Sequence, residues 1–140
     1  MKLAPKHPVA RFQRLFSRIT PESDLNLEAL YHDDVRFIDP FHQFSRRKDL
    51  QDYFDRLTRR LMWAEFDFEP AVVDAGAAAL PWTMRFRGKR FPREMAVEGI
   101  SHFRFDDRIT YHRDHFDVSA MMADAIPGGS SFWRRLKSLA

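Results

Sequence analysis

A chain of 140 residues with 44% hydrophobic and 14% aromatic content has the size of one domain and can bury a core, which excludes a disordered arm. The absence of cysteine excludes disulfides, thiolate metal sites and a thiol nucleophile, and points to a reducing cytoplasm. The net charge of +3 comes from basic residues scattered among acidic ones without a base-reading or phosphate-reading motif, so no nucleic acid partner is expected.

No run approaches the roughly 20 apolar residues of a membrane span, and MKLAPKHPVARF lacks the apolar stretch of a signal peptide, so no membrane partner is expected either. From Pro8 to Ile19, the residues Val9, Phe12, Leu15, Phe16 and Ile19 recur at helical spacing behind a proline, which predicts an amphipathic helix. A shorter helix is expected around Leu25–Tyr31, with His32–Asp34 turning the chain into a first strand. In that strand, VRFIDPFHQ, the residues Val35, Phe37 and Asp39 share a side. A carboxylate thus ends the apolar side of the strand, just before Pro40. A third helix is expected from a cap at Ser45 to about Leu61, with Leu50, Tyr53, Phe54, Leu57 and Leu61 as its stripe.

Period two then replaces period 3.6. Phe66 and Phe68 alternate with acids, and Leu80, Trp82, Met84 and Phe86 alternate with Pro81, Thr83, Arg85 and Arg87. A hairpin at Gly88 and Lys89 leads to a strand in which Val97, Gly99, Ser101, Phe103 and Phe105 share one side. After a turn at Asp106 and Asp107, the segment RITYHRDHFDV groups Thr110, His112, Asp114 and Phe116. Past Val118 a helix to about Ala125 is expected, then a break at IPGGSS and a tail helix over 127–140. The fold class is α+β: one domain over 1–140, with three N-terminal helices packed on a curved antiparallel sheet and a C-terminal helical tail.

Asp39 and Asp114 carry the chemical signal, because a carboxylate on the apolar side of a strand is costly unless it is bonded, paired or protonated. Each has a plain alternative. Asp before Pro commonly closes a turn on nearby backbone N–H groups, and Asp114 can pair with His112 or an arginine. His112 and His115, three apart on a strand, face opposite sides and cannot share a metal ion without a bulge, so no metal is expected. No glycine loop suited to a phosphate-bearing cofactor is present, and no cofactor is implied.

The segments YHDDVRFIDPFHQFSRRKDLQDYF, ALPWTMRF and RITYHRDHFD, in this order of elements, resemble the cone-shaped fold of the nuclear transport factor 2-like superfamily. That superfamily holds SnoaL-like cyclases, ketosteroid isomerases and limonene epoxide hydrolases, and the last segment is similar to the end of the epoxide hydrolases. The resemblance places Asp39 where the isomerases keep their proton-shuttling carboxylate, and Asp114 where the epoxide hydrolases keep the acid that activates water. Phe16 and Ser101 stand at the isomerases' two oxyanion donors, and Trp82 and Met84 at the hydrolases' Arg and Asp, so neither parent site is complete.

The resemblance implies a pocket lined by Phe16, Phe37, Trp82, Met84, Phe86 and, further along the sheet, Ser101, Phe103 and Phe116. It also implies Asp39, Asp114 and His112 as catalytic groups, a small hydrophobic ligand, and a homodimer formed through the mixed-charge outer face. Two readings stand side by side: a pocket protein that moves a proton on its ligand, as isomerases, cyclases and hydrolases do, or a non-catalytic dimeric binding or accessory domain.

Overall fold

The computed structural model describes residues 2–90 and 93–119. The first helix, α1 (Pro8–Phe16), starts at a proline whose fixed φ and missing N–H suit a first turn. His7 caps it, its Nδ1 accepting the Val9 N–H at 3.1 Å. Burial and the neighbouring Arg11 charge hold the His7 pKa below the usual value, which keeps that lone pair available. The helix ends at Phe16 and not at Ile19, because the Ser17 carbonyl accepts the Phe66 N–H at 2.9 Å. Residues Arg18 and Ile19 then form β1 (Arg18–Ile19), paired with a later strand.

The helix expected over Leu25–Tyr31 is absent. Its apolar residues are buried, but the chain makes a single turn in which the N–H groups of Leu30 and Tyr31 both bond the Leu27 carbonyl, at 3.1 and 2.8 Å. It then enters β2 (Tyr31–Ile38) directly, ahead of the turn expected at His32–Asp34. One turn fixes several dihedrals for few hydrogen bonds, and here sheet pairing takes the next residues before a helix can propagate. After β3 (Gln43–Phe44) comes α2 (Arg47–Arg60), whose N-cap is Arg46 with no side-chain bond, so Ser45 does not cap it. Two helices, not three, precede the meander.

The meander comprises β4 (Leu61–Phe68), the short β5 (Val72–Val73), β6 (Ala77–Gly88), β7 (Met95–Phe105) and β8 (Ile109–Phe116). The order across the sheet is β1-β4-β6-β7-β8-β2-β3, with β5 on β6. The sheet is mixed and not purely antiparallel: β2 runs parallel to β8, with Phe37 opposite His112 and Ile38 opposite Arg113. Hairpins order β6, β7 and β8, whereas β2 reaches β8 across the long connection that a parallel pair requires.

One core lies between the helices and one face of the sheet. Phe12 of α1 stacks on Phe16 at 4.6 Å and meets Phe103 of β7 edge-on at 4.9 Å, while Leu50 and Phe54 of α2 are buried against the same cluster. The other face carries charge, as alternation predicts, with Glu65 accepting from both Arg18 and Arg85. No helix among the described residues is long and apolar enough to cross a membrane. The tail helix expected over 127–140 lies outside the described residues, as does most of the segment leading to it.

Candidate functional site

Asp114 is the point on which the site converges. His112, two residues earlier on β8 and so on the same side, brings its Nε2 to 2.7 Å from Asp114 Oδ1. Ser101, directly opposite on β7, donates its hydroxyl to the same oxygen at 2.6 Å. The Trp82 indole N–H in turn donates to Ser101 Oγ at 2.9 Å. To do so the indole lies across Gly99, its register partner. A Cβ on Gly99 would overlap that ring and come within 2.8 Å of the His115 carbonyl, so close approach is what requires glycine here.

Behind His112 stands Tyr31, whose hydroxyl is 2.8 Å from Nδ1. Burial, and secondarily the charge of Asp114, raises the Tyr31 pKa well above its ordinary value, so the phenol keeps its proton. Because the Asp114 carboxylate accepts, Nε2 is the nitrogen that donates to it, and in the neutral ring Nδ1 is then the acceptor for the Tyr31 hydroxyl. The ring, 1% exposed, is wedged against Phe37 and Phe103 at 4.9 and 4.7 Å. Every donor in the series Tyr31, His112, Asp114 and Trp82, Ser101, Asp114 points toward one oxygen. Among the described residues none reaches Asp114 Oδ2, and the side chain is 21% exposed.

Asp39 is held differently. It follows the last residue of β2, and its Oδ1 accepts the backbone N–H groups of Phe41 and His42 at 2.8 and 2.6 Å, closing the turn into β3. Its Oδ2 accepts the Tyr53 hydroxyl at 3.2 Å, and only 6% of the side chain is exposed. The turn role weighed for Asp39 is therefore present, with a phenol added. Burial first, then the charge and hydrogen bond of Asp39, push the Tyr53 pKa far up, and the charge of Asp114 adds to this.

Both acids line one cavity of about 640 Å³ between the sheet, α1 and α2. Of the residues singled out from sequence, Phe16, Phe37, Trp82, Met84, Phe86 and Phe116 also line it. His112, Ser101 and Phe103 do not: they are buried behind the wall, where His112 and Ser101 grip Asp114 from the rear. Leu57 of α2, expected in the packed stripe, is 37% exposed because it borders this space. Tyr31 and Tyr53 were not anticipated as site residues. Their signal is a phenol on each of two elements facing an acid-bearing strand, but helical spacing assigns Tyr31 to a helix, whereas it opens β2. No group of three or more His, Cys, Asp or Glu suited to a metal ion occurs among the described residues, and His115 lies on the opposite, exposed side from His112.

The chain belongs to the SnoaL-like domain family, whose pattern matches residues 9–112. No curated protein matches it in sequence. Among solved structures, a protein of ketosteroid isomerase-like fold from Catenulispora acidiphila, in complex with trimethylamine, superposes with a TM-score of 0.73 at 16% identity, covering 86% of this chain and 94% of the other. An LEH-like epoxide hydrolase from M. tuberculosis gives 0.68 at 21% identity over 82% and 84%. A protein from Jannaschia assigned as a SnoaL-like polyketide cyclase gives 0.74 at 14% identity over 91% and 99%. At these identities the likeness is one of fold, and the α+β, nuclear transport factor 2-like architecture stands on it. A fold of this kind hosts many functions, so activity has to be argued from the site.

Proposed function

We propose that this protein binds a small hydrophobic molecule in the cavity and moves a proton on it, with Asp114 as the acid-base group. The observation that carries this reading is the asymmetry of the Asp114 carboxylate. Its Oδ1 is saturated from behind by His112 and Ser101, while no described residue donates to Oδ2. A carboxylate fixed in this way has its second oxygen free to take a proton from a carbon next to a carbonyl, or from a water, and to return it. His112 touches no cavity space and acts as a positioning residue, as do Ser101, Trp82 and Tyr31.

Asp39, whose oxygens are both occupied, is better suited to holding Tyr53 than to acting as the base. Groups on the wall that can face developing negative charge include the Tyr53 hydroxyl and the guanidiniums of Arg56 and Arg60. Phe16, also on the wall, supplies no donor, which separates this site from that of a ketosteroid isomerase. The mostly aromatic and aliphatic lining and the volume suit a ligand of two or three fused rings or a terpene. A second copy of the chain on the charged outer face is the partner this reading includes.

The test is deuterium exchange at the α-carbon of a bicyclic ketone, 2-tetralone, followed by NMR in heavy water. The wild type is expected to accelerate exchange, and Asp114→Asn to lose about 100-fold to 10,000-fold of that acceleration. Exchange no faster than buffer, together with ligand binding that Asp114→Asn leaves untouched, would replace this reading with the non-catalytic binding domain.

A further inference from the structure

At the far end of the same cavity the chain gathers positive charge from two separate elements. The C-terminal part of α2 contributes Arg56 and, in its last turn, Arg59 and Arg60, and the β6–β7 connection contributes Lys89 and Arg90. They are brought together by backbone geometry: Leu61 pairs with Gly88 in the sheet, and the Lys89 N–H donates to the Arg60 carbonyl at 2.9 Å. A second hollow, of about 580 Å³, is lined by Arg59, Arg60, Gly88, Lys89 and Arg90. Arg60 and Gly88 line both spaces, so the basic hollow adjoins the apolar cavity.

None of these five cations forms an ion pair with a described residue, whereas Arg18, Arg47 and Arg85 all do. Cations in the last turn of a helix complement its dipole, which accounts for Arg59 and Arg60. It does not account for Lys89 and Arg90, which a separate connection sets against like charge at a cost. A hollow lined by four cations without an ion-pair partner among the described residues, three of them arginine forks, fits an anion of more than one charge better than a carboxylate.

We infer that the physiological ligand is two-part, a hydrophobic body seated in the cavity against Asp114 and an anionic head group of the phosphate class held by Arg59, Arg60, Lys89 and Arg90. This rests on the cavity being a binding site, as proposed above, and adds the substrate class. The long axis of such a ligand runs from Asp114 past Arg56 and Arg60 to the basic hollow, which fixes which end reaches the carboxylate.

The experiment compares 2-naphthol, 2-naphthyl phosphate, 2-naphthoate and inorganic phosphate by calorimetric titration of the full chain, in low and high salt. The neutral 2-naphthol reads the cavity alone, so its failure to bind would sink the cavity reading and this inference with it. If 2-naphthol binds, 2-naphthyl phosphate is expected to bind about tenfold tighter or better at low salt, with the gain shrinking in high salt. Replacing Arg59, Lys89 and Arg90 together with Gln, all exposed side chains, is expected to bring the two ligands to within about twofold of each other. Equal affinity of alcohol and phosphate ester in the wild type, or a gain that survives the triple substitution, would overturn the head-group site. Inorganic phosphate or 2-naphthoate binding as tightly as the ester would overturn the two-part ligand and the phosphate class respectively.

Discussion

His112 Nε2 lies 2.7 Å from Asp114 Oδ1 while the opposite nitrogen of the same ring, Nδ1, lies 2.8 Å from the Tyr31 hydroxyl. A histidine bridging a phenol and a carboxylate inside a ring of phenylalanines is a relay of position: each member fixes the next, and the last is the group that faces the cavity. Because Tyr31 and His112 are fully buried, removing either one leaves a polar atom of the other without a partner.

That defines a double-mutant cycle. His112→Phe keeps a planar ring among the aromatic neighbours but strands the Tyr31 hydroxyl, and is expected to destabilise by about 1–3 kcal/mol. Adding Tyr31→Phe removes the stranded hydroxyl, so the double variant should be more stable than the sum of the two single losses predicts, by at least about 0.5 kcal/mol. Urea unfolding of the four proteins gives the coupling. Strict additivity would mean that the two side chains do not depend on each other.

The two acids separate by what their loss does to stability. Asp39→Ala leaves the N–H groups of Phe41 and His42 and the Tyr53 hydroxyl without their acceptor, and is expected to cost about 1–3 kcal/mol. Asp114→Asn retains an amide oxygen that still accepts from His112 and Ser101, so its thermal midpoint should change far less than that of Asp39→Ala. A larger loss at Asp114 than at Asp39 would assign Asp114 to the scaffold and count against its role as base.

Much of this was legible because strand alternation is strict. Residues i and i+2 share a face, so the pairing of His112 with Asp114 and the inward set of Trp82, Met84 and Phe86 follow from spacing alone. What spacing could not give was depth: Ser101, Phe103 and His112 face inward but are covered by Trp82, Asp114 and the aromatic rings, and only packing decides which inward residues reach the cavity. Tyr31 was missed for a different reason. Leu27, Leu30 and Tyr31 have helical spacing and are buried, but the competing strand pairing of Tyr31 with Ile109 took the segment. The parallel placement of β2 on β8 is a long-range event with no local signature at all.

Gly99 shows how tightly the wall is built. With the Trp82 indole lying over it and the His115 carbonyl close by, Gly99→Ala has to push the indole off Ser101 or spread the strands. Overpacking of this kind is expected to cost about 1–3 kcal/mol, and it breaks the Trp82 bond that orients the Ser101 hydroxyl toward Asp114. Near-ultraviolet circular dichroism, which reports tryptophan packing, should change along with the melting temperature. A variant as stable as the wild type with an unaltered spectrum would contradict the close approach.

Alkaline pH tests the buried phenols. Tyr31 and Tyr53 both have folded-state pKa values raised above the ordinary value of about 10, chiefly by burial, with carboxylate charge adding to it. Below pH 10 both phenols are protonated in the folded and unfolded chain alike, and their contribution to stability is fully present. Above pH 10 the unfolded chain releases these protons while the folded chain retains them, so the folded state binds more protons and stability falls as pH rises toward the raised values, by about 1.4 kcal/mol per pH unit for each tyrosine. Urea unfolding between pH 8 and 11.5 should show a plateau and then this descent. Tyr53→Phe, which removes one of the two contributions and leaves the His112 bridge intact, should roughly halve the slope above pH 10. A slope unchanged by Tyr53→Phe would mean that the Tyr53 phenol ionises as freely in the folded protein as in the unfolded chain, and that its bond to Asp39 does not hold.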